Sequence, residues 1–279
     1  MDAWFVDDTK QRNPSRPGMG SLLAVGGIRI PDGAVGGLER QLQDLCRTTG
    51  FPEGPSGEFK WSPGRDLWMH AGLRGVARTE FFQEVLQLMR DASATVVVVV
   101  EDTTRAKADW RAASHEESAF RLLTERIDAV QRDHQSEAFI VIDRPPGNRV
   151  DENKFLAHTL EVVQQGTQFV VPHKVAINPV ATQSHFVRLL QVADVVTSCT
   201  LAYVSGESVW SGPMFQNYVL PIIREDYSRR GGVGLKLHPD ILFMNLYHWL
   251  LGDEFYKHGN SGYPLPFANR PYATDAFLE

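Results

Sequence analysis

Thr95-Val96-Val97-Val98-Val99-Val100 sets five consecutive valines behind a threonine. A run of β-branched residues with no polar interruption predicts a strand buried on both faces, the kind found under helices in a parallel sheet. Downstream, Ala138–Ile142 predicts a second buried strand. Between them the spacing predicts a helix from about His115 to Gln131. Ser114 is its cap and Glu117 its capping-box partner, with Ala119, Leu122, Leu123, Ile127 and Val130 on one face. Further helices are predicted over Asp151–Gln164, about Ser184–Tyr203 and Met214–Tyr227, with a short strand at Phe169–Val171 closed by Pro172. Strand and helix thus alternate from residue 94 to 204, which argues for an α/β fold. Upstream, residues 3 to 7 and Ser21–Ile30 flank a Pro- and Gly-rich loop and predict an antiparallel hairpin. Helical spacing covers residues 34 to 48 and Thr79–Met89, separated by the polar stretch Phe51–Gly57 and a short alternating segment, Glu58–Trp61. The expectation is a mixed sheet flanked by helices over residues 1–205, with a mainly helical C-terminal extension, 206–279, packed on the same domain.

The 279 residues are 43% hydrophobic, enough for a substantial core. A net charge of -6 gives no global attraction to nucleic acid, so any backbone binding has to be local or metal-mediated. Cys46 and Cys199 have no metal-ligand spacing and are expected to pack as small apolar groups. No basic leader with an apolar core opens the chain and no apolar run reaches the length of a membrane span, so a cytoplasmic protein with no membrane partner is expected.

Against this background, four carboxylates stand out. Asp7 and Asp143 each follow a run of buried strand residues, Asp194 interrupts the apolar stretch Leu190–Val196, and Glu58 sits in a Glu-Phe-Lys-Trp segment between flexible residues. A carboxylate in such a place is costly unless a cation, a proton or hydrogen-bond donors compensate it. Taken singly, Asp7 and Asp143 read as turn residues, and Asp194 as bonded to Gln191 or to backbone. Taken together they could hold Mg²⁺ or Mn²⁺, because several converging carboxylates cannot all stay ionised without cations and oxygen-only sets suit these ions. Two such ions about 3.5 to 4 Å apart clamp the attacking water and the leaving oxygen in phosphodiester hydrolysis. Lys60 either contacts the scissile phosphate, balances the carboxylates or is simply solvated. Asp128, off the apolar face of its helix, reads as a surface ion pair, and Asp8, on the other face of the first strand from Asp7, as a supporting or loop residue.

The N-terminal Phe-Val-Asp-Asp-Thr, the Glu58-x-Lys60 pair, Leu-Leu-x-Glu-Arg-Ile-Asp at 122–128, the Ile-Val-Ile-Asp strand and Leu-Gln-Val-Ala-Asp at 190–194 resemble the domain-of-unknown-function 3800 family. The resemblance covers roughly residues 3 to 205, and its most specific part is the Gln-x-Ala-Asp helix after a strand ending in Asp. It implies an RNase H-like fold and a metal-dependent nuclease-like site, with Asp7, Glu58, Asp143 and Asp194 on the matching positions. Asp8 departs from the usual Glu, and Thr9-Lys10 from Ser-Gly.

Other motifs fail. Arg230-Gly-Gly-Val-Gly-Leu-Lys236 looks phosphate-friendly but lacks P-loop spacing, and no His-Glu-x-x-His supports zinc hydrolysis. Basic groups gather at Lys10, Arg12 and Arg16 and again at Arg224, Arg229, Arg230 and Lys236, where they either track a nucleic-acid backbone or form solvated faces. The leading expectation is a divalent-metal-dependent nuclease using Asp7, Glu58, Asp143 and Asp194, with Lys60 assisting and DNA or RNA as its partner. The alternatives are a catalytically silent nucleic-acid- or protein-binding module and a metal-dependent hydrolase of a small phosphoester. The aromatic residues Phe243, Tyr247, Trp249, Phe255 and Tyr256 are expected to pack the core or a homodimer face.

Overall fold

Two long strands open the chain, β1 (Asp2–Gln11) and β2 (Leu22–Ile30), paired antiparallel with Asp7 opposite Gly26. The structure, a computed structural model, describes residues 1–106, 114–145 and 147–275. The helices α1 (Val35–Thr49), α2 (Trp68–Gly72) and α3 (Gly75–Asp91) follow, then β3 (Thr95–Asp102), which holds the valine run. Helix α4 (His115–Asp133) leads to β4 (Ala138–Asp143), and α5 (Arg149–Gln165) to β5 (Val180–Thr182). Helices α6 (Arg188–Val204) and α7 (Ser208–Met214), strand β6 (Leu235–His238), α8 (Asp240–Leu251) and a hairpin of β7 (Phe255–His258) and β8 (Ser261–Pro264) complete the order. Among the described residues the main sheet has six strands, in the order β5-β4-β1-β2-β3-β6. It is mixed: β2 runs antiparallel to β1 and β3, while β1 with β4, β4 with β5, and β3 with β6 are parallel pairs.

The valine run explains why helices cover both faces. Val96, Val98 and Val100 enter one core with α1, α3, α6 and α8, whereas Val97 and Val99 enter a second core with α4 and Trp4, Val6, Ile140 and Ile142. Each fully buried valine contributes about 1.5–3 kcal/mol relative to exposure, so neither face of the strand tolerates water. Local signals place the helices. The Ser114 side chain accepts from the Glu117 N–H at 3.2 Å, and Asn148 caps α5 in a reciprocal box with Asp151. Cys46 and Cys199 are buried and unpaired, as expected of small apolar groups. At the N-terminal end of β1, buried Asp2 accepts from Arg29 Nε at 2.7 Å, Ser136 Oγ at 2.8 Å, the Asp32 N–H at 3.0 Å and Gln131 Nε2 at 3.3 Å.

Several sequence expectations are corrected. The first strand does not stop at Asp7: it continues to Gln11, because β2 keeps pairing with it after β4 has ended. Phe169–Val171 is not a strand. Those residues form a turn in which the Thr167 hydroxyl accepts from the Phe169 and Val170 N–H groups, and Phe169 is exposed; the strand lies instead at β5. The single helix expected over Met214–Tyr227 is broken into the end of α7, a π-helical segment over Phe215–Val219 and a 3-10 turn at Leu220–Ile222. Pro221 supplies no amide donor there, Ile223 turns extended, and the Arg224 N–H donates to Val96 O, so the segment docks beside β3. The alternating segment Glu58–Trp61 is irregular. The C-terminal region is more than a helical covering, since β6 is an edge strand of the main sheet. Phe243, Tyr247 and Tyr256 are buried in the core, while Phe255 is half exposed. Among the described residues no helix is long and apolar enough to cross a membrane.

Candidate functional site

Asp7 owes its place to a change of partners along β1. Parallel pairing with β4 runs from Asp2 opposite Ala138 to Val6 opposite Ile142 and then ends, so Asp143, the last residue of β4, and Asp7, midway along β1, lie side by side where the parallel pairing stops. Open α/β sheets place ligands outside the carboxyl ends of their strands. Asp7 is buried, and its Oδ1 accepts from the Asp8 N–H at 2.7 Å; Asp8 itself is exposed. Asp143 Oδ1 accepts from the Arg144 N–H at 2.9 Å and from the Ser184 N–H at 3.0 Å.

The other two carboxylates are delivered to the same face of the sheet by α6 and by a loop, since Asp7 and Asp143 alternate with Val6 and Ile142 and share the side of Phe5 and Val141. Helix α6 packs across β1 and β2 and carries Asp194, whose Oδ2 accepts from the Trp61 N–H at 2.7 Å and whose Oδ1 accepts from Ser198 Oγ at 3.4 Å. Glu58 comes in on the loop after a 3-10 turn at Pro55–Gly57, and its Oε1 accepts from Ser184 Oγ at 2.5 Å with Lys60 Nζ at 3.4 Å. Ser184 is therefore a bridge: its amide holds Asp143 and its hydroxyl holds Glu58. Gln191 is the latch behind it. Its Oε1 accepts from the Phe59 N–H at 3.1 Å and Arg188 Nη1 at 2.9 Å, and its Nε2 donates to Ser184 O at 2.9 Å. Arg188 Nη1 also reaches Gly57 O at 2.7 Å. The Gln-Val-Ala-Asp run thus divides its labour: Gln191 ties down the two segments that deliver Glu58 and Ser184, and Asp194, one turn on, faces the cluster.

Electrostatics link all five predicted residues. Burial, then Asp194, Asp143 and Asp8, raise the Asp7 carboxyl well above the ordinary range. Burial pushes Asp194 up to about 6, against the Trp61 N–H and Lys60, which lower it. For Lys60, burial favours the neutral amine, but Glu58, Asp194, Asp7 and Asp143 together outweigh it and hold the ammonium above its usual value. One lysine facing four carboxylates leaves the site short of positive charge. The all-oxygen donor set is the one a hard divalent cation takes. Among the described residues, however, no group of three or more His, Cys, Asp or Glu side chains stands in an arrangement that could hold a metal ion. Glu58 is turned to Ser184 and Lys60, and Asp194 to Trp61 and Ser198. The carboxylates share one electrostatic field without sharing one coordination sphere.

On the α4 side of Asp7 and Asp143 lies a cavity of about 220 Å³, walled by Val6, Phe120, Ile142 and Phe155 and rimmed by Asp8 and Lys10. Asp128 is not a surface residue. It is fully buried because its Oδ1 accepts from the Lys174 N–H at 2.8 Å, while its other oxygen pairs with Arg132. Of the basic groups, Lys10 pairs with Glu116, Arg224 with Asp133, Arg230 with Glu225 and Lys236 with Asp240, and Arg16 is buried. They do not form one exposed stripe. Ser184 and Gln191 are the members that the sequence reading missed as site residues, although Gln191 stands in the same short motif as Asp194. Comparison of this chain with protein families, with curated proteins and with solved structures finds no match.

Proposed function

We propose that this protein is a divalent-metal-dependent phosphodiesterase acting on nucleic acid, built on an RNase H-like sheet. The observation that carries the reading is the shared field of Asp7, Glu58, Asp143 and Asp194 around Lys60, where the parallel pairing of β1 with β4 stops. Asp7, Asp143, Glu58 and Asp194 are the residues that would hold Mg²⁺ or Mn²⁺, once Glu58 releases Ser184 and Asp194 releases the Trp61 N–H to bring the four into one coordination sphere. When bound, the metal would offset their mutual repulsion and stabilise charge on a phosphoryl oxygen. Lys60 supplies a cation toward the same phosphate, and Ser184 keeps Glu58 and Asp143 in register. Support for the RNase H-like reading lies in the mixed sheet, which seats β1 between antiparallel β2 and parallel β4 and so makes the two strand aspartates neighbours.

The test is degradation of single-stranded, duplex and hybrid substrates with and without Mn²⁺. Wild type should cleave at least one of them only when the metal is present, and Asp7→Asn should lose about 100-fold or more of that rate. Metal-independent cleavage, or an Asp7→Asn protein with full activity, would overturn the reading. A second reading, a binding module without turnover, is favoured by the hydrogen bonds that already occupy Glu58 and Asp194. Under it, nucleic acid or a protein partner binds equally to wild type and to Asp194→Asn, and neither protein cleaves.

A further inference from the structure

The run Arg230–Lys236, set aside as a failed P-loop, lies beside a second concavity on the far flank of α4. It has a volume of about 230 Å³ and is lined by Arg126, Arg229, Lys236, Lys257, Asp240 and Tyr256 among others. Four cationic side chains face one carboxylate there, in a chain whose net charge is -6. Such a concentration of one sign in a concave site attracts the opposite charge.

The partners of these cations are incomplete. Lys236 is buried and pairs with Asp240, and Arg126 Nε donates to Gly232 O at 3.2 Å with Glu125 at 3.7 Å. Arg229 enters no ion pair among the described residues, and its Nε–H is buried with no hydrogen-bond partner among them. Lys257 is exposed on the β7 side of the opening. Burial pushes the Lys236 ammonium and the Arg126 guanidinium below their usual values even with Asp240 and Glu125 beside them, a direction that a bound anion would reverse.

The glycine-rich loop itself is not the cradle. Its amides are already used: Gly231 N donates to Asp253 Oδ2 at 2.6 Å, Gly232 N to Leu235 O at 2.8 Å and Gly234 N to Arg230 O at 2.8 Å. Gly231 is required for another reason, since a Cβ there would lie 2.5 Å from the Tyr247 ring. An anion would therefore rest on side chains, for which guanidinium groups are suited by their fork of donors. We propose that this concavity is a binding site for a phosphate group, separate from the carboxylate cluster, in which Arg229 and Lys257 contact the ligand and Arg126 and Lys236 supply charge at the floor. The register Asp8–Val25–Val99–Lys236 separates the two sites by three strand spacings, about 14 Å.

The experiment is a titration of the full chain with inorganic phosphate in EDTA, against sodium chloride of equal ionic strength, followed by thermal melting and by calorimetry. Phosphate should raise the melting temperature saturably and chloride should not. Arg229→Gln should weaken the apparent affinity about tenfold or more, whereas Arg47→Gln, which removes the same charge from the exposed face of α1, should leave it unchanged. Arg229 has no ion pair to lose, and Lys257→Gln gives a second, exposed variant with the same expected direction. A wild-type response no larger than that of chloride, or Arg229→Gln and Lys257→Gln titrating like wild type, would overturn the proposal. Oligonucleotides with a 5′-phosphate or a 5′-hydroxyl, also in EDTA, separate the sources of the phosphate. Preference for the phosphorylated end, erased in Arg229→Gln, assigns a terminal phosphate, and equal binding weakened in Arg229→Gln assigns the backbone. Because EDTA removes cations from the carboxylate cluster, this outcome is independent of whether the protein is a nuclease.

Discussion

Asp194 carries a cost that can be measured. Its carboxyl is held at about 6 rather than near 3.8, mainly by burial, so the folded protein binds this proton more tightly than the unfolded chain. The resulting stability is fully present below about pH 3.8 and is lost as the pH rises through 6. In EDTA, Asp194→Asn should therefore be more stable than wild type at pH 7.5, by about 3 kcal/mol, with the advantage closing below pH 4. The side-chain amide oxygen of asparagine still accepts from the Trp61 N–H. Urea unfolding across the pH range checks this, and a variant that is less stable at pH 7.5 would refute it. Asp7, Asp143 and Asp194 were conspicuous in the sequence because an acidic residue at an apolar position breaks a one-dimensional pattern. Ser184 broke none. A serine before a helix is ordinary, and what sets this one apart is a bond to Glu58, 126 residues away in the chain.

Helix α6 reaches the sheet only because Gly26 has no side chain. A Cβ at that position would stand 2.1 Å from Thr197 Oγ1, and Gly26 is the register partner of Asp7, so α6 lies tight against the sheet beside the cluster. Gly26→Ala should push α6 outward, cost about 1–3 kcal/mol in stability and lower any metal-dependent activity in proportion to the displacement of Asp194. Thermal melting and the cleavage assay check the two parts, and an alanine variant with wild-type stability would show that the helix is not clamped there. The strands and long helices with strong periodicity were legible in the sequence: the valine run, α1, α3, α4 and α5 lie close to their expected bounds. Phe169–Val171 and Met214–Tyr227 were not, because their apolar residues signal burial without saying whether the backbone can be satisfied. In the first segment the Thr167 hydroxyl holds a turn, and in the second Pro221 removes a helical donor.

At the scale of the molecule, the C-terminal region completes the fold. Strand β6 pairs with β3, and α8 places Phe243, Met244, Leu246, Tyr247 and Leu250 in the same core as Val96, Val98 and Val100. A chain ending at residue 205 should therefore fail to fold, seen as lost cooperative melting and as aggregation in size-exclusion chromatography. A folded monomeric fragment would show that residues 1–205 stand alone. The sequence suggested that division because the family-like motifs end near residue 205, and motifs report chemistry rather than where a sheet stops.

Strand β1 also carries opposite proton affinities at its first residue and midway along it, about 17 Å apart. Burial raises the Asp2 carboxyl, but Arg29, Ser136 and the Asp32 N–H outweigh it and hold the group below the usual range, while Asp7 is held well above it. Acidification therefore reaches the strand from one direction. The Asp7 position takes up protons early and sheds its internal repulsion. The Asp2 end keeps its ion pair until the pH falls below about 3.8, where its contribution to the fold begins to be lost. Along β1, acid should therefore loosen the pairing of Asp2 with Arg29 before it disturbs Asp7, an order that hydrogen exchange of the β1 amides against pH would read.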